Sequence, residues 1–146
     1  MSNEEINSRY PFLTVYGFDG NPISGDSWYR CVPEGWRDRF IMTCERVLAR
    51  LKDQHMLDEY RITEVKEKFG TLRVYDNMCD TTPDKEGVSD LWFALDLATA
   101  TVCVMCGEPA EYLSSGWICP YCSECKSVIE QKDPGSKFKR IKDLNK

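Results

Sequence analysis

Five of the chain's eight cysteines lie within the 23 residues from Cys103 to Cys125, and this cluster constrains the fold more than any other feature of the sequence. Cys103 and Cys106 form a CxxC pair followed by a glycine, a pattern typical of a knuckle that presents two thiolates to one metal ion. A second pair near Cys125 completes a four-sulfur set. The segment is therefore predicted to bind one Zn²⁺ in a closed, structural site that does not activate water.

The second pair of ligands is ambiguous, because Cys119 and Cys122 form one CxxC and Cys122 and Cys125 form another. The residues between the knuckles predict a small hairpin turning near Gly116, whose second strand needs several residues to return to the first knuckle. Ligation by Cys125 leaves residues 117–121 for that strand, whereas ligation by Cys119 leaves only two residues. Cys119 is thus predicted to be a spare thiol on the strand. The predicted ligands are Cys103, Cys106, Cys122 and Cys125.

Charge is unevenly distributed along the chain. Residues 126–146 contain seven basic and three acidic residues, a net charge of +4, and since the whole 146-residue chain carries −5, residues 1–125 carry −9. An acidic body repels phosphate, which disfavours a nucleic-acid groove across it. Residues 127–146 are predicted to be a solvated, partly disordered basic tail, the one segment whose charge suits nucleic acid.

The composition favours a cytoplasmic protein with no membrane segment. No apolar run approaches the ~18 residues that a membrane-spanning helix needs. Residues 1–12 are acidic and polar where a secretory signal would be basic and then apolar. Because cytoplasmic thiols stay reduced, the CxxC pairs are expected to be metal ligands rather than disulfide partners or redox cysteines.

An α+β body is predicted for residues 1–98, with a strand at 10–18 followed by turn residues up to Trp28. Residues 60–77 predict a β-hairpin that turns at Gly70. A long amphipathic helix begins after Gly35, and the hairpin is expected to cover its apolar face. That face consists of Trp36, Phe40, Cys44, Val47, Leu48 and Leu51.

A second helix is predicted from about residue 88, with Ser89 or Asp90 near its start as the cap. It runs directly into the zinc-ribbon module at 99–126, so the module is expected to be held rigidly on the body. The predicted buried face of this helix consists of Leu91, Phe93, Ala94, Leu97 and Ala98.

The polar face of the hairpin and the ribbon supply candidate partner-binding residues. Cations next to an aromatic ring are suited to bind a carboxylate or a phosphate, although a solvated sheet face is the ordinary alternative. Trp117, at the start of the predicted returning strand of the ribbon, is suited to anchor a protein interface. The candidates are Lys66, Lys68, Arg73, Tyr75 and Trp117.

Several motifs together resemble small proteins, frequent in bacteriophages and prophages, that combine a Gly-Trp helix start, a "KEKFGTLR-Y" hairpin and a C-terminal "CxxCG…GW…" ribbon that ends in CxxC or CxxH. The matching segments are Gly35-Trp36, residues 66–75, residues 103–107, Gly116-Trp117, and Cys122 with Cys125. The resemblance covers roughly residues 28–126. It implies a phage or prophage accessory protein and brings no activity with it, and Cys119 is this chain's departure from the pattern.

Enzymatic chemistry finds little support in the sequence. The single histidine, His55, lies in a polar stretch after the long helix, and no Gly-rich phosphate loop, HExxH or GxSxG motif occurs. The leading hypothesis is a non-catalytic zinc-binding protein that binds and modulates a host protein complex, such as a defence or transcription component. The alternative is a nucleic-acid-binding regulator that uses the ribbon and residues 127–146. A weaker third possibility is a nuclease or redox protein using a stray thiol, Cys31 or Cys79.

Overall fold

The computed structural model describes residues 1–144 and shows an α+β fold with four helices and seven short strands in that range. All strand pairs are antiparallel: β1 with β2, β3 with β4, and a three-stranded sheet in the order β6-β5-β7. None of these helices is long and apolar enough to cross a bilayer. The elements are α1 (Asn3–Arg9), β1 (Thr14–Tyr16), β2 (Pro22–Ser27), α2 (Arg37–Asp53), β3 (Ile62–Lys68), β4 (Thr71–Asp76), α3 (Lys85–Thr99), β5 (Tyr112–Ser114), β6 (Pro120–Tyr121), α4 (Ser123–Lys132) and β7 (Phe138–Arg140).

Helix α2 is the centre of the core, as its periodicity predicts. All six residues of its predicted apolar face are buried, and Phe40 and Cys44 are completely so. The β3–β4 hairpin contributes Val65 and Leu72 to the same cluster, and the Trp92 ring of α3 stacks on Phe40 with 5.8 Å between ring centroids. Each large apolar side chain buried in this way contributes about 1.5–3 kcal/mol of transfer free energy.

The hairpin is confirmed, with Val65 opposite Val74 and Lys68 opposite Thr71. Its two-residue turn is Phe69-Gly70, and both residues have positive φ, 52° and 87°. This is the backbone of a tight turn whose twist matches that of the strands. Glycine adopts such a conformation freely, whereas an L-residue such as Phe69 pays a conformational cost.

The predicted buried face of α3 is wrong, because Phe93 and Leu97 are 60% and 59% exposed. The opposite side of the helix enters the core instead: Trp92 donates its indole N–H to the Tyr60 hydroxyl at 2.8 Å, and Thr99 accepts the Leu72 amide at 2.9 Å. Apolar residues occupy most of the circumference of α3, so their spacing alone cannot select the core side. The helix also begins earlier than predicted, at Lys85.

Two predictions near the N-terminus are also corrected. The strand predicted at 10–18 is only Thr14–Tyr16, because Pro11–Leu13 form a 3₁₀ turn. The segment predicted as turn up to Trp28 contains β2, which pairs with β1 through an irregular register. Its glycine and proline occupy an edge strand, where breaks in the hydrogen-bond ladder are tolerated.

The basic tail predicted at 127–146 is largely folded. Helix α4 extends to Lys132, and β7 pairs with β5, with Tyr112 opposite Arg140. The Phe138 ring meets Tyr121 edge-on at 5.7 Å between centroids. Residues 145–146 of the predicted tail lie outside the described residues. The ribbon sheet therefore draws its third strand from beyond the predicted module boundary at residue 126.

Candidate metal centre

The first knuckle is shaped by backbone hydrogen bonds directly after α3. The Cys103 amide donates to the Glu108 carbonyl at 2.7 Å, and the Gly107 amide donates to the Cys103 carbonyl at 3.0 Å. Gly107 has a φ of 84°, which lets the chain reverse immediately after Cys106. The local sequence thus folds the two thiols of this pair toward one point.

The second pair lies at the start of α4. Cys122 is the N-cap residue, and its Sγ accepts the Cys125 amide at 3.4 Å. Strand β6 ends at Tyr121, immediately before this cap. The second knuckle is thus formed by the turn that leads from β6 into α4.

The two pairs converge into one cluster. The Sγ atoms of all four predicted ligands, Cys103, Cys106, Cys122 and Cys125, lie within 4.8 Å of one another, and Cys106 and Cys122 are 3.6 Å apart. A tetrahedral site with Zn–S bonds of about 2.3 Å has edges of about 3.8 Å, so the spacing suits a metal ion. None of the four forms a disulfide. The structure brings the four predicted ligands together, and together they could hold a metal ion; their ligation of zinc stays a prediction.

Burial and hydrogen bonding make the cluster electrostatically uneven. Burial opposes ionisation of Cys103, but the amides of Cys122, Cys106 and Met105 outweigh it and lower the pKa of this thiol to about 7. Burial, together with hydrogen bonds from the neighbouring thiols, raises the pKa of Cys125. A cation at the centre would favour the thiolate form of every member, because metal binding displaces thiol protons.

Cys119 is excluded from the cluster, in agreement with the sequence. It is buried, and its thiol donates to Glu67 Oε1 of β3 at 3.6 Å. Burial, followed by the nearby Glu67 carboxylate, raises its pKa to about 12. Its sulfur is directed to β3 and away from the other four, so position excludes Cys119 from the cluster.

The cysteine cluster is packed directly on the body through Gly35 and Trp36. The Trp36 indole donates to the Val102 carbonyl at 2.9 Å, and the Gly35 amide donates to the Val104 carbonyl at 2.9 Å. A Cβ atom at Gly35 would lie 2.1 Å from the Cys103 carbonyl oxygen. The Gly-Trp pair therefore serves as a close contact between body and knuckle, a role that sequence alone did not assign to it.

The structure divides the candidate partner-binding residues between two places. On the hairpin face, Lys66 pairs with Glu64 at 3.2 Å and Arg73 pairs with Asp96 at 2.9 Å, so these cations are engaged within the chain. Tyr75 lies beside Lys66, with the ammonium 5.8 Å from its ring centroid. Lys68 is exposed at the end of β3, and Trp117 is 77% exposed in the ribbon turn. Partner binding by these five residues stays a prediction.

Sequence reasoning missed Phe69, which is 72% exposed at the hairpin turn. A Cβ on the adjacent Gly70 would meet Ile118 of the ribbon turn at 3.3 Å and 3.5 Å, so the two turns are in contact. The signal in the sequence was the Phe-Gly pair, because two-residue turns of this type normally carry Asn or Gly in the first position.

The cysteines outside the ribbon differ widely in environment. Cys44 is buried in the core, as predicted, and Cys31 is half-buried. Cys79 is exposed, with the Thr81 and Thr82 hydroxyls 3.2 Å and 3.3 Å from its sulfur. These hydrogen bonds lower the pKa of Cys79 to about 7.

Cys79 is therefore expected to be the first cysteine that iodoacetamide alkylates. Its rate should rise through neutral pH, because the thiolate is the reactive form, while burial keeps the Cys44 thiol protonated and unreactive. Peptide mass spectrometry of briefly labelled protein over a pH series measures this. In Thr81→Ala/Thr82→Ala the midpoint of the rise in alkylation rate with pH should move to higher pH. An unchanged midpoint would show that the threonine hydrogen bonds do not lower the pKa of Cys79.

Comparison with known proteins leaves the site to be judged on its own geometry. Family models, curated proteins and solved structures give no significant match to this chain. The four-cysteine cluster and the two contacting hairpin turns are the features of the molecule that bear on its function.

Proposed function

We propose that Cys103, Cys106, Cys122 and Cys125 bind one structural Zn²⁺. Four sulfur atoms within 4.8 Å of one another match the closed coordination sphere of structural zinc sites. Soft thiolate ligands select zinc over magnesium or calcium. Such a sphere has no open position for water, so the ion would supply folding energy and no hydrolytic chemistry.

We further propose that the protein is a non-catalytic accessory protein that binds a protein partner through its two hairpin turns. The observation that carries this is the contact between the turns, which places Phe69, Trp117 and Ile118, 72%, 77% and 38% exposed, on adjacent backbone. Exposed aromatic anchors on a rigid support are typical of interface centres. A zinc ion bound by Cys122, which directly follows β6, would help to fix the ribbon that carries Trp117 and Ile118.

The backbone at Phe69 supports a functional reading of this surface. An aromatic residue held at a φ of 52° costs stability that Asn or Gly would not. Strain of this kind is characteristic of positions that serve binding. Phe69 is also largely exposed, so burial of its ring within the chain does not offset the free-energy cost of this backbone conformation.

In keeping with the sequence resemblance, we propose a phage or prophage origin and a host protein complex, such as a defence component, as the partner. The protein would then act in the host cytoplasm. The acidic balance of the chain, a net charge of −5, suits a protein target better than bare nucleic acid.

The test is quantitative affinity purification from nuclease-treated bacterial lysate with the zinc-loaded full-length protein and Phe69→Asn. Phe69→Asn is expected to raise the free energy of unfolding by about 0.5–1 kcal/mol, because Asn tolerates the left-handed backbone. It should also reduce recovery of the specific partner about tenfold, as loss of an interface aromatic does.

The matched control is Phe18→Asn, since Phe18 is fully exposed in the loop between β1 and β2. This variant should recover the partner as the wild type does. A host protein recovered equally by wild type and Phe69→Asn would contradict the proposed surface, and recovery of nucleic acid alone would contradict protein binding.

A nucleic-acid-binding function is the second candidate, favoured by the exposed Lys137 and Lys139 beside and within β7. Both project from backbone fixed in the ribbon sheet rather than from a loose tail. In this case affinity for an oligonucleotide should fall steeply as salt concentration rises. Lys137→Gln/Lys139→Gln should reduce the slope of log binding constant against log salt concentration by about 0.7–0.9 per lost phosphate contact. A flat salt dependence rules against it.

A further inference from the structure

Helices α2 and α3 leave an apolar groove between them on the outside of the body. The groove has a volume of about 280 Å³, and Met42 of α2 and Leu91, Ala94 and Ala98 of α3 contribute apolar surface to it. Met42 is 59% exposed and Ala94 is exposed as well. This is part of the side of α3 that the sequence predicted to be buried, and nothing within residues 1–144 covers it.

The α2 side of the groove carries two arginines, Arg39 and Arg46. They are one heptad apart, so they lie on the same face of α2, about 10.5 Å apart along its axis. Both are exposed. The groove is therefore apolar at its floor and cationic along one edge.

These two arginines differ from the other seven in the chain. Within residues 1–144, their side chains are the only arginine side chains without an ion pair, a hydrogen bond or a ring contact. The others either pair with carboxylates or lie over tyrosine rings: Arg9, Arg30, Arg50 and Arg73 do the first, and Arg37, Arg61 and Arg140 do the second. In a chain with a net charge of −5, two uncompensated arginines beside one groove form a local cationic site.

We propose that this groove binds an acidic amphipathic helix of a partner protein. This proposal rests on the proposed function, because it assumes that the partner is a protein. An apolar stripe on the incoming helix would pack against Met42, Ala94 and Ala98, where the small alanines allow close approach. Carboxylates on its flank would pair with Arg39 and Arg46. Face-to-face pairing of two copies of this chain would instead bring four arginines into one interface, so the charge disfavours a homodimer.

The test selects helical peptides from a displayed library and measures their affinity for the zinc-loaded full-length protein. Each peptide has about 18 residues, with apolar residues at helical spacing and Glu, Gln or Lys at random on the flanks. We expect selection to enrich Glu on one flank. The Arg39→Glu/Arg46→Glu variant should bind the selected peptide with at least tenfold lower affinity than the wild type does. It should bind the same peptide with Glu replaced by Lys more tightly than the wild type does.

Lys132→Glu/Lys142→Glu is the matched control, because it makes the same change in net charge at two exposed lysines with no proposed binding role and should leave affinity unchanged. Unaltered zinc content and circular dichroism confirm that each variant is folded. The proposal is overturned if no peptide is enriched, if the enriched peptides carry no excess of Glu, or if charge reversal leaves affinity intact. It is also overturned if sedimentation shows a dimer that Ala94→Glu dissolves, since a second copy then fills the groove.

Failure of this proposal and failure of the proposed function give different results. If the host partner recovered by wild type is also recovered by Arg39→Glu/Arg46→Glu but lost in Phe69→Asn, the hairpin turns bind it and the groove does not. If neither variant alters recovery, both surfaces are wrong.

Discussion

Cys122→Ser is expected to abolish stoichiometric zinc binding and to unfold the sheet formed by β5, β6 and β7. The residue holds two roles, since its Sγ lies 3.6 Å from that of Cys106 and also accepts the Cys125 amide. Serine retains the helix-capping role, so the loss isolates the metal. Structural zinc contributes an apparent ~10–16 kcal/mol to folding, far more than any single contact elsewhere in the chain. Metal analysis by mass spectrometry and thermal unfolding measure the two effects.

Cys119→Ser is the matched control for this experiment. Serine can donate to Glu67 as the thiol does, and Cys119 lies outside the cluster. Full zinc content and a loss of stability below about 1.5 kcal/mol are expected, as for modest changes at a buried hydrogen bond. The reverse pattern, with zinc lost in Cys119→Ser and kept in Cys122→Ser, would overturn the ligand assignment.

Gly35→Ala is expected to destabilise the protein by more than about 3 kcal/mol, a large effect for one methyl group. The new Cβ would lie 2.1 Å from the Cys103 carbonyl oxygen and 2.7 Å from the Val104 carbonyl carbon. Both are backbone atoms of the knuckle, so relief requires moving the cysteine cluster away from α2. Weaker zinc affinity should accompany the loss of stability, and chelator titration with chemical denaturation measures both.

Gly20→Ala is the control that separates the steric clash at Gly35 from the general cost of replacing a glycine by alanine. Gly20 has a φ of 81°, but an added Cβ meets no atom within 4 Å. It should therefore cost only about 1 kcal/mol through backbone strain and leave zinc affinity unchanged. Equal destabilisation by Gly20→Ala and Gly35→Ala would show that the contact between knuckle and body is loose.

The parts of the fold that the sequence predicted are those in which one local pattern dominates. Helix α2 has a single apolar stripe, and the β3–β4 hairpin has β-branched runs on either side of Gly70, so periodicity and turn chemistry agree. The four cysteines were chosen from the length of chain that a returning strand was expected to need, and these four do cluster. The reason for the choice is not supported, because the returning strand β6 contains only two residues, Pro120–Tyr121.

The remaining features depend on contacts that no local pattern encodes. The core side of α3 is chosen by the stacking of Trp92 on Phe40, and both sides of the helix are apolar enough to compete. Strand β7 forms because Phe138 finds Tyr121 and Lys126, partners in the ribbon, although its basic composition resembles a solvated tail. The close approach of Gly35 to Cys103 joins segments far apart in sequence.

Because Gly35 and Trp36 pack against the first knuckle, metal binding by the cysteine cluster would also affect the stability of α2. If zinc binds only the folded chain, stability grows as the logarithm of free zinc above the dissociation constant, and this gain reaches the body as well as the ribbon. Since degradation in cells follows the unfolded fraction, the amount of intact protein would track the zinc supply. Both the hairpin turns and the α2–α3 groove would then be presented in proportion to that supply.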